Sequence, residues 1–323
     1  MAGGKERVLK RRIKSVQSTK KITKAMELIA ASRIVKAQQR VAAARPYTEQ
    51  ITEVIRNLAA AGAGSSSPLL QPREQVRKVA VVVVTGDRGL AGAYNSNVIR
   101  AAERSIVATR DAGKEYGLVT VGRKAAGYFR FRGFKIDASF SGFSDQPSYE
   151  DARQIAAFVT EQFESGEYDQ VELAFTQFLS MGTQRAVVRR FMPLDAEAIT
   201  DATKGDGPKA DYEFEPSPNE ILNRLLPRYA EARLFAALLE AAASEHAARQ
   251  RAMKSATDNA EELITKLTRV MNRARQDSIT TEIMEIVGGA EALAQDQSGP
   301  GELMIDHTFW SHITPHKFDH HAH

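Results

Sequence analysis

The residues best placed to do chemistry lie in the turn Gly86-Asp87-Arg88-Gly89-Leu90-Ala91-Gly92-Ala93-Tyr94-Asn95, directly after the β-branched run VAVVVVT at 79–85. A glycine-rich turn after a strand buried on both faces is where an open α/β sheet holds its ligand. The spacing argues against both common phosphate cradles. Gly86, Gly89 and Gly92 recur every three residues, which is neither the dinucleotide fingerprint nor a P-loop, and no Lys-Ser or Lys-Thr pair follows the turn. Acid–base chemistry would need two carboxylates held close together. Asp87 with Asp145 or Asp151 is the available pair, and nothing in the sequence brings these residues to one place. His246 falls inside a long helical pattern and reads as a packed histidine. The other six of the seven histidines, His307, His312, His316, His320, His321 and His323, crowd the tail. Such a tract can bind Zn, Ni or Cu, but with no carboxylate pattern beside it a flexible terminus with adventitious metal binding is expected. The turn is therefore expected to be structural and to offer a contact surface, with no cofactor, no metal and no catalytic residue.

Composition limits the classes further. With 323 residues, 43% of them hydrophobic and 26% charged, the chain can form one good core plus an extended element. The absence of cysteine excludes disulfides, thiol catalysis and thiolate metal sites. No apolar run reaches membrane-spanning length, and the basic start lacks the apolar core of a secretory signal, so it is taken as mature sequence. Residues 1–45 carry 13 Lys and Arg against Glu6 and Glu27, a balance of +11, and leave −7 for the rest of a chain whose net charge is +4. The basic end should seek an acidic partner. Nucleic acid is disfavoured as that partner, because the interleaved residues are Ala, Ile, Val and Met with no aromatic before Tyr47.

The elements that must position these groups begin at the two ends. In the first stretch Ile13, Val16, Lys20, Thr23, Glu27, Ala30, Ile34 and onward to Leu58 fall on alternating steps of three and four. In the last, Ala232, Phe235, Leu239, Ala242, His246, Arg249, Met253, Ala256 and onward to Ala274 do the same. This is the seam spacing of a left-handed coiled coil, and the economical partner of each helix is the other. Arg249 and His246 on the stripe are expected to weaken it locally, Pro46 and Pro227 to bend the helices, and Gly288-Gly289 to end the second. Between them, strands are expected at 79–85, 117–121, 135–140, 171–175 and 184–191, the last antiparallel at an edge, with helices at 96–111 and 148–163 and a helical turn after Arg123. A further short strand is expected at 211–215. Strands alternating with helices predict a three-layer α/β domain.

The segments KKITKAMELIAASRIVKAQ with RPY, GDRGLAGAYN, VGRKA, DYEFEPSPN, LLPRYAEARLFAALLEAAASEHAARQRAMKSATDNAEELI and ARQDSITTEIMEIVGGAEAL occur in that order. Together, from about residue 7 to 293, they resemble the gamma subunit of bacterial F-type ATP synthases. The resemblance implies a long antiparallel coiled coil of the N- and C-terminal helices plus a Rossmann-like three-layer α/β domain, divided as 1–60, 75–215 and 219–293 with a tail at 294–323. It implies a central rotor shaft without bond chemistry of its own, turning inside a ring of three alpha and three beta subunits. Its foot would meet epsilon and the proton-driven c-ring, peripheral to the cytoplasmic face of the bacterial cell membrane.

By the same resemblance, Arg275, Gln276 and Thr280 would bond a loop of a beta subunit, and Lys24 and Met26 would face the acidic beta lever. Asp211, Tyr212, Glu213 and Glu215 would belong to the foot near epsilon and the c-ring. Ala91 stands where the family commonly has Cys, the regulatory cysteine pair of chloroplast relatives is absent, and no extra loop of the kind some mycobacterial relatives insert lies between Phe163 and Val171. Two other readings remain distinct from the shaft: a nucleotide-using α/β enzyme with helical arms, and a coiled-coil binder of nucleic acid.

Overall fold

The computed structural model describes residues 2–60, 67–194, 215 and 217–296. The chain forms two compact units, Val16–Leu263 and Met1–Ser15 with Ile264–His323. Both draw on the two long helices α1 (Ala2–Ala60) and α5 (Pro218–Asp296).

In the Val16–Leu263 unit, five strands form one sheet in the order β3-β2-β1-β4-β5. These are β1 (Lys78–Val84), β2 (Glu115–Val121), β3 (Ala138–Phe140), β4 (Gln170–Phe178) and β5 (Gln184–Met192). The first four run parallel, and β5 pairs antiparallel with β4 at the edge. The VAVVVV run is central and buried on both faces, which is why it does not alternate. Val81, Val83, Leu118 and Ala174 face α2 (Tyr94–Asp111) and α3 (Arg123–Phe131), whose Val98, Ala102, Ile106 and Phe129 fill that side. Ala80, Val82, Val84 and Val171 face α4 (Tyr149–Glu164) and the paired α1 and α5, with Ile51, Ile55, Leu58, Leu226 and Leu234 in the same core. Helices on both faces of a mostly parallel sheet make the three-layer α/β arrangement, and the order reverses between β1 and β4, the position where such sheets open a crevice.

Several local expectations give way to packing. The helix α1 continues through Pro46 and α5 through Pro227, because the neighbouring turns bury Ile51, Ile55, Leu226 and Ala230 in one core. Proline costs about 3 kcal/mol in a helix interior, and tertiary burial of this extent outweighs it. Gly288-Gly289 does not end α5, which runs to Asp296; the strong formers Glu291, Ala292 and Leu293 carry it past two glycines at about 1 kcal/mol each. The strand expected at 135–140 shrinks to Ala138–Phe140, since the Lys135 amide donates to the Tyr116 hydroxyl instead of a neighbouring strand. Of the strand expected at 211–215, only Glu215 is described, as an exposed bend.

The pairing of α1 with α5 is antiparallel. Thr23 meets Thr257 hydroxyl to hydroxyl at 2.8 Å, and Lys20 meets Glu261 at 3.0 Å, so numbers fall in one helix as they rise in the other. Burial at this point falls on Thr257 rather than on Ala256. A polar pair inside an otherwise apolar seam fixes register, because a slipped pairing leaves both hydroxyls without each other. Thr23→Val or Thr257→Val alone is expected to cost about 1 kcal/mol, and the double variant less than the sum. Chemical denaturation of the four members of that cycle measures the coupling; strict additivity would remove the hydroxyl pair as a register device.

In the other unit the described residues are helical, 2–15 from α1 and 264–296 from α5. Leu267 is buried there, while Ile279, Ile283, Met284, Ile286, Val287 and Leu293 are 48 to 71% exposed. That many bare apolar side chains on one helix mark a surface built to be covered.

Candidate functional site

The crevice at the carboxyl ends of β1 and β4 is occupied in large part by the chain's own last helix, beside which a cavity of about 320 Å³ remains between Gly92, Thr176 and Ser244. Ala241 to Ala247 are all buried, an uncommon state for seven consecutive helical residues and one that requires neighbours on every side. Four of the seven are alanines, which lets the helix backbone come close to the sheet ends. Into the space beneath the glycine turn α5 sends Glu245, whose carboxyl lies against Gly86: a Cβ there would sit 2.9 Å from it. Arg249, one turn on, pairs with Glu245 at 2.5 Å and donates to the Gly89 carbonyl at 3.2 Å. Burial pushes the Glu245 carboxyl up, and the Arg249 partner pulls it back. Tyr94 is pushed well above its ordinary value in the same place, by burial and then by the Glu245 charge.

His246 faces the next loop. Its Nε2 lies 3.1 Å from the Asp145 carbonyl, so this nitrogen carries the proton and donates. Burial lowers the imidazole below its usual value, leaving a neutral ring whose Nδ1 finds no partner. Asp145 in turn accepts from Arg33 of α1 at 2.7 Å, and Arg40 of α1 reaches the Pro147 carbonyl. His246 and Arg249 therefore do not weaken the pairing of the long helices; they point away from it and hold the α/β layers to α5.

Asp87 is brought beside the loop that carries Asp145, as its bonds to Ser144 show, but the carboxylates weighed as a pair in the sequence are held by structural partners. Asp87 Oδ2 accepts from the Gly142 and Ser144 amides at 2.8 and 3.1 Å, and its Oδ1 accepts from the Arg123 amide at 3.0 Å. Asp151 closes a capping box with Ser148 at the start of α4. Both are structural ties committed to backbone donors. Among the described residues no group of three or more His, Asp or Glu could hold a metal. The six tail histidines lie outside the described residues. Glu245 and Arg249 are the pair that spacing alone did not single out: i, i+4 charges set in AAASEHAAR, where most neighbours are alanine or serine.

The residues implied to touch partners are placed as follows. Lys24 and Met26 share a turn of α1; Met26 is half-buried, and Lys24 pairs with Glu27 at 3.1 Å. Beside them Ile22, Leu28 and Ile29 are 56 to 61% exposed. Arg275, Gln276 and Thr280 are all exposed on α5, with Gln276 and Thr280 four apart on one face. Glu215 is exposed, while Asp211, Tyr212 and Glu213 lie outside the described residues.

A mostly parallel α/β domain carried on two paired terminal helices, one of which packs into the crevice of the sheet, is a stalk-and-platform arrangement. The family model described as ATP synthase matches residues 5–293. The ATP synthase gamma chain of Parafrankia sp. is 55% identical over 90% of this chain and 98% of its own length, and that of Mycolicibacterium vanbaalenii is 52% identical over 89% and 97%. A chain of the Tetrahymena thermophila mitochondrial ATP synthase central stalk and c-ring superposes with a TM-score of 0.54 at 25% identity, covering 73% of this chain and 99% of that one. A chain of the Euglena gracilis mitochondrial ATP synthase shares the fold, with a TM-score of 0.64 over 94% of this chain and 99% of its own at 17% identity. The chain belongs to the ATP synthase gamma chain family.

Proposed function

We propose that this chain is the central rotor shaft of a bacterial proton-translocating F-type ATP synthase, coupling rotation of a membrane c-ring to conformational change at the catalytic beta subunits. The observation that carries the reading is the plugged crevice. A domain that uses its own helix as the occupant of its ligand site is suited to hold that helix rigidly and to turn with it. Contact energy that differs around the shaft then selects among beta-subunit conformations, which is all that coupling requires. The chain does no bond chemistry itself.

The exposed apolar groups of α5 and the +11 balance of residues 1–45 are what a shaft facing a surrounding ring needs: apolar contact at a bearing and attraction to an acidic lever. In this reading Arg275, Gln276 and Thr280 bond a beta-subunit loop, Lys24 and Met26 face the beta lever, and Asp211, Tyr212, Glu213 and Glu215 form the foot toward epsilon and the c-ring. No helix among the described residues is long and apolar enough to cross a membrane. The shaft reading makes the chain a peripheral subunit at the cytoplasmic membrane face.

The test mixes the full chain with matched alpha and beta subunits and measures ATPase rate and copy number. One copy per three alpha and three beta, with faster turnover when the chain is added, is expected. Arg275→Ala with Gln276→Ala should lower the rate roughly tenfold, the loss of two hydrogen bonds of about 0.5–1.5 kcal/mol each. Equal copy numbers, or nucleotide bound by the chain alone, would remove the shaft reading and return the crevice to consideration as a binding site.

A further inference from the structure

Between β4, the edge strand β5 and the middle of α5 lies a cavity of about 180 Å³ that the shaft role leaves unused. Its charged wall is Arg189, Arg190, Arg233 and Glu240, three guanidinium groups against one carboxylate. What holds these arginines is unusual. Arg233 lies over the rings of Tyr229 at 5.7 Å and Phe191 at 5.9 Å. Arg189 lies over Phe175 at 6.0 Å and gives one Nη2–H to the Gln177 side-chain oxygen at 2.9 Å. A guanidinium drawn over a ring by cation–π attraction keeps N–H donors available, and its planar fork matches two oxygens of one oxyanion.

The single carboxylate does not cancel this charge. Glu240 Oε2 accepts from the Phe178 amide at 3.2 Å, so it is tied to backbone. Burial raises its carboxyl above the ordinary range, with the Phe178 amide and the charges of Arg189 and Arg45 pulling the other way. Arg45 of α1 is near enough to act on Glu240 but does not line the cavity. The space is smaller than the roughly 300 Å³ at which pockets for whole drug-sized ligands begin. It suits a small, compact anion.

We propose that this cavity, open to solvent on the side of the exposed Arg189 and Arg190, binds a phosphate-class oxyanion gripped by the forks of Arg233 and Arg189 with Arg190 at its edge. The site stands independently of the shaft reading. The phosphate can come from free inorganic phosphate or from the headgroup of an anionic lipid, and the same chemistry would hold either.

Titration calorimetry of the full-length chain with inorganic phosphate at fixed ionic strength tests it. Saturable binding is expected, weakened at least about tenfold in Arg233→Ala and Arg189→Ala, the scale of one or two charge-assisted hydrogen bonds. Arg185→Ala, on the same strand outside the cavity, is expected to bind within about twofold of the parent, since general charge alone contributes little at this ionic strength. Arg233→Lys keeps the charge without the fork; it should lose most of the affinity with its circular dichroism melt intact, which separates the site from a folding failure. Sedimentation with phosphatidylglycerol against phosphatidylcholine vesicles then assigns the source. Loss of phosphatidylglycerol binding in the same two variants points to a lipid headgroup, and unchanged sedimentation to free phosphate. Phosphate that does not saturate the parent chain, or equal weakening in Arg185→Ala, overturns the proposal.

Discussion

Arg249→Ala is expected to destabilise the Val16–Leu263 unit by about 3–5 kcal/mol at pH 7, because it strands a carboxylate beneath the glycine turn. Glu245 is 1% exposed and has no other cation within salt-bridge distance among the described residues. The effect should depend on pH in a definite direction. Burial holds the Glu245 carboxyl above its ordinary value of 4.5, so the folded chain keeps that proton more firmly than the unfolded one. Stability from such a group is fully present below the unfolded value and is lost as pH rises through the folded one. Without Arg249 the folded value climbs further, and the deficit should shrink steadily as pH falls from 7 toward 4.5. Glu245→Gln in the same chain should recover much of the loss, since it removes the stranded charge. Denaturant midpoints followed by circular dichroism, across that pH range, decide the matter. A deficit that is flat with pH and unrelieved by Glu245→Gln would show that the charge pair is not its source.

Gly122→Ala is the second large effect, about 3–5 kcal/mol of destabilisation. Gly122 follows β2 with φ at +94°, and a Cβ would lie 2.1 Å from the Thr85 carbonyl oxygen. Neither atom can yield cheaply. The Thr85 amide is bonded to the Val121 carbonyl and the Gly122 amide to the Phe140 carbonyl, so relief would have to break the ends of β1, β2 and β3 together. Strain on this scale belongs among the few mechanisms that produce very large single-site losses. Gly127→Ala is the internal comparison. Gly127 sits within α3 with nothing inside 4 Å of its Cβ position, and there alanine should stabilise by about 0.5–1 kcal/mol. Thermal melts of the two variants should move in opposite directions; a Gly122→Ala chain that melts with the parent would mean that the turn after β2 can rearrange freely.

How much of this was legible in the sequence depended on the range of the interaction. The VAVVVV run announced a strand covered on both faces, because an unbroken apolar run reports burial directly, and the strand at 184–191 does lie at the edge although its burial does not alternate. The long three-and-four spacing announced the paired helices, because its period reports a buried stripe. Breakers misled wherever packing outweighed propensity, as at Pro46, Pro227 and Gly288-Gly289, since a residue's local cost is visible in sequence and the core that offsets it is not. The least legible feature was the plug. Nothing near Gly86 points to Glu245, and nothing near Glu245 distinguishes a solvated i, i+4 pair from one buried beneath a turn. The misreading of Arg249 and His246 as weak points in the seam follows from that. On a helix enclosed all round, the stripe that faces the partner helix is only part of the buried surface.

The plug also sets an order of events. Glu245 packs against Gly86, and Arg249 donates to the Gly89 carbonyl, each from some 160 positions later in the chain. Synthesis runs from the amino end at about 5–20 residues per second, so the sheet is complete in sequence through β5 well before its crevice can be closed. During that interval the face of β1 and β4 that will receive α5 is bare, with apolar groups such as Val82, Val84 and Leu173 left open to other chains. A ribosome stalled before residue 245 leaves a platform that cannot finish itself, and contacts of such long separation are the slow ones. The nascent chain is thus at its most aggregation-prone just before its last helix emerges, and that is the stage at which a chaperone or an early partner would matter most.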